Sequence, residues 1–182
     1  MRPVPRPFTA LIGVLPPAKA SDRIRKAPEN QRSLAICNLY NLQTNQQAIR
    51  DLAHVLQDSL GNLEPVLDVY PDHPAPVVRN MPEGRALSRL TWGMPTPPQF
   101  LKAKDAPDTG VTNIRNTQSP HWCRWLGVEN RCLVPATAFS EYGTKPDPMT
   151  RRKPLHWFAL DDSRPLFSFA GLWTPWQARA AR

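Results

Sequence analysis

Glu141 is the residue of this sequence best suited to acid–base chemistry. It alternates with Phe139 along a predicted strand and lies in strongly apolar sequence. A carboxylate held among apolar side chains either finds a partner or becomes easier to protonate, and a protonated carboxyl group is a general acid. The ordinary alternative is a solvated strand residue, and the local sequence leaves both interpretations open.

Four further residues are candidates for binding or nucleophilic chemistry. Asn113 and Arg115 alternate on a predicted strand and are expected to face one pocket, where the forked guanidinium suits a phosphate. Trp92 is a candidate platform on which an unpaired base stacks, with a place in the core as the alternative. Cys37 offers a thiol, although a lone Cys in an apolar strand is usually a small, inert core residue.

The cysteine pattern argues against a disulfide framework. Cys37, Cys123 and Cys132 are odd in number and show no Cys-x-x-Cys spacing, which fits a reducing, cytoplasmic compartment. His121 lies close to Cys123, but no second pair of ligands stands at zinc-finger spacing. We therefore expect no metal and no other cofactor.

Composition predicts one domain with a basic front segment. The 182 residues include 22 Pro and carry a net charge of +8. Residues 1–35 hold seven Lys or Arg against two acidic residues, a net charge of +5, and residues 36–182 hold sixteen against thirteen, a net charge of +3. Because most of the excess lies in the front segment, total charge is weak support for nucleic-acid binding.

Residues 1–35 are predicted to be a disordered, basic, Pro-rich extension, or sequence that precedes a mis-assigned start. Arg2 and Arg6 precede the apolar run Phe8–Leu15, as in a secretion signal. Pro16 interrupts that run, and we expect the extension to bury too little surface to fold alone.

The remaining chain predicts short strands and two helices, which is an α+β class with mostly antiparallel sheet. A helix is predicted to start at Thr44 as its cap and to end at Gly61, with a second one at Pro120–Leu126. One strand kinked at Pro135 is predicted from Arg131 to Tyr142. The other predicted strands are Ile36–Leu42, Val77–Arg79, Leu87–Trp92, Val111–Arg115 and a hairpin of Leu155–Leu160 with Leu166–Trp173.

Five ordered segments resemble the SOS response-associated peptidase (SRAP) family of abasic-site processing proteins. The segments are Cys37-Asn-Leu-Tyr40, Trp92-Gly-Met-Pro95, Thr112-Asn-Ile-Arg115, Arg131-Cys-Leu-Val-Pro135 with Phe139-Ser-Glu-Tyr142, and Phe167-Ser-Phe-Ala-Gly-Leu-Trp173.

The resemblance implies a β-rich fold and a defined chemistry. Cys37 matches the family's catalytic Cys, which becomes N-terminal and forms a thiazolidine with an abasic site in single-stranded DNA. By the same matching, Asn113 and Glu141 are catalytic, and Arg115 and Trp92 contact the DNA. The implied protein is a monomer with self-processing peptidase (hydrolase) activity, acts in the SOS response, needs no cofactor and has no membrane partner.

The sequence departs from the family pattern at two places. Ile36 stands where the family has Met, so Cys37 is preceded by an extension. Family members also carry an active-site His in a later His-x-Arg-Met-Pro-like segment, which does not occur before Arg182. We therefore expect 36–176 to be a partial, C-terminally truncated SRAP domain, followed by a tail at 177–182.

Two other functions compete with abasic-site crosslinking. An inactive remnant would at most bind single-stranded DNA non-covalently, through Arg115, Trp92 and the basic extension. An ordinary cysteine hydrolase would pair Cys37 with His121 or His156, although no spacing connects either His to Cys37.

Overall fold

The computed structural model describes residues 6–12, 39–64, 66–101, 108 and 110–176. Within these ranges the helices are α1 (Gln46–Ala53) and α2 (Pro120–Cys123), with 3₁₀ turns at Pro98–Phe100 and Val128–Asn130. The strands are β1 (Arg6–Ile12), β2 (Leu39–Leu42), β3 (Gln57–Asp58), β4 (Val66–Val69), β5 (Pro74–Met81), β6 (Gly84–Trp92), β7 (Asn113–Ile114), β8 (Arg131–Ala136), β9 (Ala138–Tyr142), β10 (Leu155–Phe158) and β11 (Phe167–Trp176).

The larger sheet of the described residues closes on itself. Its strand order is β3-β6-β5-β8-β11-β1-β7, and β1 also pairs with β6. Strands β6, β5, β8, β11 and β1 therefore form a ring, as in a small barrel. Most of the pairs are antiparallel, while β1–β6, β1–β7 and β3–β6 are parallel. The predicted β-rich α+β class is confirmed.

A second, antiparallel sheet has the order β10-β9-β2-β4. The chain enters it at Thr137, between β8 and β9. The Thr137 amide donates to the Asn41 carbonyl at 2.8 Å, and its hydroxyl accepts from the Gln43 amide at 3.1 Å. The prediction of a single strand with a kink at Pro135 is therefore wrong. Pro135 lies inside β8, and the change of sheet occurs where Thr137 bonds to the end of β2.

The two sheets share one aromatic core. Tyr40 of the second sheet packs edge-on against Trp92 of the larger sheet, with ring centroids 5.2 Å apart. Phe139 and Phe169 repeat this arrangement across the sheets at 5.4 Å. All four side chains are buried. Edge-to-face aromatic pairs add to the free energy gained from area burial, so the sheets are expected to unfold together.

Helix α1 is shorter than the sequence predicted. Asn45, not Thr44, is the N-cap, and its side-chain oxygen accepts from the Ala48 amide at 2.8 Å. His54 adopts a left-handed conformation and ends the helix well before Gly61. The Asn45 carboxamide competes successfully with the Thr44 hydroxyl because Asn is the stronger cap. Of the apolar side chains of this segment, Ile49 and Ala53 are buried, whereas Leu52 and Leu56 are exposed.

The predicted hairpin of the two last strands is also wrong. Strand β10 pairs with β9 in the second sheet, whereas β11 pairs with β8 and β1 in the larger one. Strands β10 and β11 are therefore adjacent in sequence but belong to different sheets. None of the helices in the described part of the chain is long and apolar enough to cross a membrane.

Residues 1–35 were predicted to be disordered, but part of this segment forms a strand in the structure. Residues 6–12 form β1, because the apolar, β-prone run from Phe8 to Ile12 supplies a backbone that pairs with β11. Residues 13–38, which include the rest of the extension and Cys37, lie outside the described ranges.

Candidate active site

Cys37 lies outside the described residues, and the structure describes the chain again from Leu39. Leu39 is the first residue of β2 and stands opposite Ser140 of β9. The Ser140 hydroxyl donates to the Leu39 carbonyl at 3.2 Å. The described part of β2 therefore begins beside the strand that carries Glu141.

Glu141 follows Ser140 on β9 and has a half-buried side chain. Its Oε1 atom is shielded from solvent. His156 of β10 stands opposite Glu141 in the antiparallel register and is exposed. The next residue on the Glu141 face, Phe139, stacks on Phe158 with centroids 5.3 Å apart. Glu141 thus lies at the border between the core and solvent.

Trp92 contacts both the strand that follows Cys37 and the segment that precedes Asn113. Its ring meets Tyr40, three residues after Cys37, and its indole N–H donates to the Thr112 carbonyl at 3.0 Å. Thr112 immediately precedes Asn113. The Trp92 side chain is 0% exposed. A base needs an accessible ring face, so stacking on Trp92 does not fit this structure, and its contacts are those of a core residue that positions its neighbours.

Asn113 and Arg115 lie on either side of the buried Ile114. The Asn113 Nδ2 donates to the Thr112 hydroxyl at 3.0 Å, and the side chain is half-buried. Arg115 is exposed. The backbone of Asn113 pairs with Leu11 of β1. Asn113 and Arg115 are therefore close together along the chain at β7. The Asn113 amide is hydrogen-bonded, and the Arg115 guanidinium is open to solvent.

Two glycines allow the turn before this strand. Gly93 and Gly110 both have positive φ angles, and a Cβ on Gly110 would lie 2.9 Å from the Cα of Gly93. The residues next to them, Met94 and Val111, exchange both backbone hydrogen bonds, at 2.9 and 2.7 Å. This close approach brings the end of β6 beside β7, and it explains the need for glycine at both positions.

The Asp108 side chain holds the same turn in place, and no sequence pattern had indicated this role. Its carboxylate accepts from the amide and the hydroxyl of Thr96, at 2.9 and 2.5 Å, and from the Gly110 amide at 2.9 Å. An Asp that bonds to backbone amides is a common turn device, so only the fold identifies this one.

His121 has a structural environment. Its Nε2 donates to the Pro95 carbonyl at 3.0 Å, and its Nδ1 accepts from Arg124 at 3.0 Å. The ring also packs on Trp122. Since both ring nitrogens are occupied, His121 does not have the free base that a cysteine hydrolase requires. Among the described residues no group of three metal-ligating side chains occurs.

A surface that the sequence interpretation did not single out lies beside Glu141. Tyr142 stands opposite Leu155, and Trp157 follows on the same face of β10. Their side chains are 55%, 42% and 41% exposed. We call these three residues, together with the exposed Arg151, Arg152 and Lys153, the β10 patch. The sequence signal was an Arg-Arg-Lys run followed by alternating apolar residues.

The loop that carries these cations is ordered by one carboxylate. Asp147 accepts from the amides of Met149 and Thr150, at 3.0 and 2.7 Å. Its backbone exchanges hydrogen bonds with Arg151 and Arg152, each at 2.8 Å. The Thr150 backbone amide, more than any other group, lowers the pKa of the Asp147 carboxyl below its ordinary value. The cations are therefore presented by a fixed turn.

Comparison with known proteins identifies the family but gives little further detail. No curated protein matches the chain. A crystal structure of a protein from Bordetella bronchiseptica is similar, with 18% sequence identity and a TM-score of 0.49, and the match covers 80% of this chain and 67% of that one. A sequence model described as SOS response associated peptidase (SRAP) matches residues 36–182. The chain belongs to the SRAP family.

Proposed function

We propose that this protein captures abasic sites in single-stranded DNA through a covalent bond to Cys37. Family membership associates the chain with the response to DNA damage. The observation that carries the proposal is the pairing of β2 with β9, which brings the strand that follows Cys37 beside Glu141. Aldehyde capture of this kind requires a nucleophile and a general acid that act together.

The first step frees the amine of Cys37. Water adds to the Ile36 carbonyl and the peptide C–N bond breaks, which leaves an Ile36 carboxylate and a free α-amine on Cys37. This hydrolysis is the peptidase activity of the proposal. It is needed because the nitrogen of an internal Cys is an amide, which does not add to an aldehyde to form an imine.

The second step joins the protein to DNA. The ring-opened sugar of an abasic site presents an aldehyde, to which the Cys37 amine adds with loss of water to give an imine. The thiolate then attacks the imine carbon while the nitrogen takes a proton, and a five-membered thiazolidine closes. Glu141 is assigned the proton transfers, both to the departing hydroxyl and to the nitrogen.

The remaining site residues are assigned to binding and positioning. Asn113 holds the sugar or the Cys37 backbone, and Arg115 binds a phosphate with its exposed guanidinium. Trp92 positions Thr112 and therefore Asn113, rather than stacking on DNA. The β10 patch supplies the stacking surface in its place, because Tyr142 and Trp157 are accessible and lie next to a run of cations.

The test uses single-stranded DNA that contains one abasic site. The full chain and a chain that starts at Cys37 are each incubated with this DNA, denatured and weighed intact by mass spectrometry. We expect an adduct whose protein part begins at Cys37, and no adduct with Cys37→Ala. Glu141→Gln keeps the shape of the side chain but cannot transfer the proton, and its adduct forms about 10²-fold more slowly or worse.

Two outcomes contradict the proposal. A stable adduct that persists in Cys37→Ala excludes this nucleophile. Equal, reversible and salt-sensitive affinity for damaged and intact strands, with no adduct from either folded protein, favours the non-covalent alternative, for which the β10 patch supplies a binding surface.

A further inference from the structure

Strand β1 comes from sequence that precedes the family match, and yet it closes the main sheet. The family match begins at residue 36, whereas β1 spans Arg6–Ile12. The ring of strands runs from β6 through β5, β8 and β11, and β1 makes the contact between β11 and β6. Without β1 the ring has a seam, and two strand edges lose their neighbour.

The first edge of this seam is the C-terminal half of β11. Residues 171–176 pair with β1 in an antiparallel register, for example Ala10 with Leu172 and Phe8 with Thr174. Strand β8 pairs with residues 167–172 on the opposite edge of β11. Both Leu172 and Thr174 are buried. In the described structure, β1 is thus the strand that pairs with the last part of β11.

The second edge is made by residues of the candidate site. Thr9 pairs with Trp92 at the end of β6, and Leu11 pairs with Asn113 of β7, both in parallel register. Strand β7 has only two residues, and its strand pairing within the described residues is with β1. The backbone position of Asn113 therefore depends on a segment outside the family match.

The sequence of this segment is suited to strand addition. Phe8-Thr9-Ala10-Leu11-Ile12 has no charge and no Pro, and it contains β-branched and aromatic residues. The same run is the one that resembles the apolar part of a secretion signal. Strand addition uses mainly backbone hydrogen bonds, so a short segment of this kind binds an open edge with little demand on its side chains.

We propose that segment Arg6–Ile12 is a donated strand, which the SRAP domain binds as a ligand in the seam between β11 and the β6–β7 edge. It stays bound when the chain is cut anywhere between Ile12 and Cys37. In the cell the segment becomes a separate ligand only if the Ile36–Cys37 bond is hydrolysed, and that cleavage rests on the proposed function. The mature protein is then a non-covalent complex of the domain with its own front segment.

The test cuts the chain after it has folded. A protease recognition sequence is inserted between Arg25 and Lys26 of the full chain, and the folded protein is cleaved there. Native mass spectrometry and gel filtration then show whether the front fragment stays with the remainder. We expect retention, including at about 0.5 M NaCl, where attraction by the basic residues of the fragment is screened.

A matched pair of variants tests strand pairing as the cause of retention. Thr9→Pro removes an amide from a strand that has neighbours on both edges, and we expect the cut fragment to be lost. Ala20→Pro makes the same change outside the strand and is expected to leave retention unchanged.

A crosslink tests the register without requiring a disrupted strand. Pro7 and Pro175 are paired in β1 and β11, at a separation that a disulfide can span. In a Cys123→Ser background, Pro7→Cys with Pro175→Cys should form a disulfide that holds the cut fragment to the remainder. Pro7→Cys with Ser163→Cys, in the exposed turn before β11, should not.

The proposal is overturned if the cut fragment separates from a folded remainder at low salt, or if both cysteine pairs crosslink equally. Its failure is distinct from failure of the proposed function. If the fragment is retained on a protein that makes no abasic-site adduct, the proposed function is wrong and the donated strand stands. If the remainder forms an adduct after it has lost the fragment, the donated strand is wrong and the proposed function stands.

Discussion

The residue with the widest influence on the candidate site is one that has no solvent contact. Trp92 bonds to the carbonyl of Thr112 and packs against Tyr40, so a single side chain links the segment of Asn113 to the strand that follows Cys37. Its chemistry is limited to one N–H donor and a large apolar surface. Both serve to keep two groups from different sheets at a constant separation.

Replacement of Trp92 by Phe should therefore affect both stability and capture. The variant loses the donor to the Thr112 carbonyl and part of the buried volume, and we expect the free energy of unfolding to fall by about 1–3 kcal/mol. Adduct formation should slow because Asn113 is less well held. Urea unfolding and the rate of adduct formation measure the two effects.

Trp173→Phe is the matched control. The Trp173 indole N–H also donates to a backbone carbonyl, that of Glu129 at 2.9 Å, and its ring packs under Arg79. This variant should lose stability without slowing adduct formation in the remaining folded protein. Equal slowing in both variants would contradict a positioning role for Trp92.

At this scale the sequence identifies residue types better than their environments. Asn113 and Arg115 lie on either side of the buried Ile114, and the expectation that they face one pocket stays a prediction. The indole N–H of Trp92 bonds to Thr112 and the Nε2 atom of His121 bonds to Pro95, and these partners are 20 or more residues away in sequence. No local pattern contains those contacts.

At the scale of elements, the loop between β9 and β10 depends on the Asp147 carboxylate. Because hydrogen bonding lowers its pKa in the folded protein, ionised Asp147 stabilises the turn above the pKa of an unfolded Asp, about 3.9. That contribution is lost only as the pH falls through the lower, folded value. Amide exchange at Met149 and Thr150 should therefore be unchanged between about pH 5 and pH 7 apart from its intrinsic pH dependence.

Asp147→Ala should release this turn and weaken DNA binding a few-fold, since Arg151 and Arg152 lose their fixed position. Asp161→Ala is the control, because Asp161 forms a similar turn with the Ser163 amide and hydroxyl in the next loop. We expect faster amide exchange in the substituted loop of each variant. DNA binding should weaken only in Asp147→Ala.

Removal of two cations from the β10 patch tests its contact with phosphates. In Arg151→Ala with Arg152→Ala, the slope of log affinity against log salt should become shallower by about 1.4, if each Arg neutralises one phosphate of single-stranded DNA. Arg50→Ala with Arg89→Ala removes the same charge from α1 and β6, outside the second sheet. An equal change of slope in both variants would show that only net charge matters.

Element positions were predicted where the signal is local. The strands around Val77–Arg79 and Leu87–Trp92 were correctly expected, although β5 and β6 are longer. The assignment of strands to sheets was not predictable from periodicity. The change of sheet at Thr137 rests on its bonds to Asn41, and the pairing of β1 with β11 joins residues more than 150 positions apart.

At the scale of the whole molecule, the shared aromatic core predicts one cooperative unfolding transition. Phe169 lies on the larger sheet and packs against Tyr40 and Phe139 of the second sheet. Phe169→Ala should lower the free energy of unfolding by about 3–5 kcal/mol. Urea transitions followed by tryptophan fluorescence and by far-UV circular dichroism should both shift, and they should still coincide.

Phe100→Ala provides the comparison, since Phe100 is 71% exposed. Its effect should stay within about 0.5 kcal/mol. Separate transitions for the two probes in Phe169→Ala would mean that the sheets unfold independently.

The paired backbone bonds between Met94 and Val111 have a practical consequence for protein engineering. They tie together the two ends of the segment 95–110, close to Asn113, and Gly93 and Gly110 make that closure tight. A segment whose ends are tied by the rest of the fold can change in length at small entropic cost. An insertion directly after the exposed Phe100 is therefore expected to leave this closure intact, and a fluorescent reporter placed there should register DNA bound near Asn113.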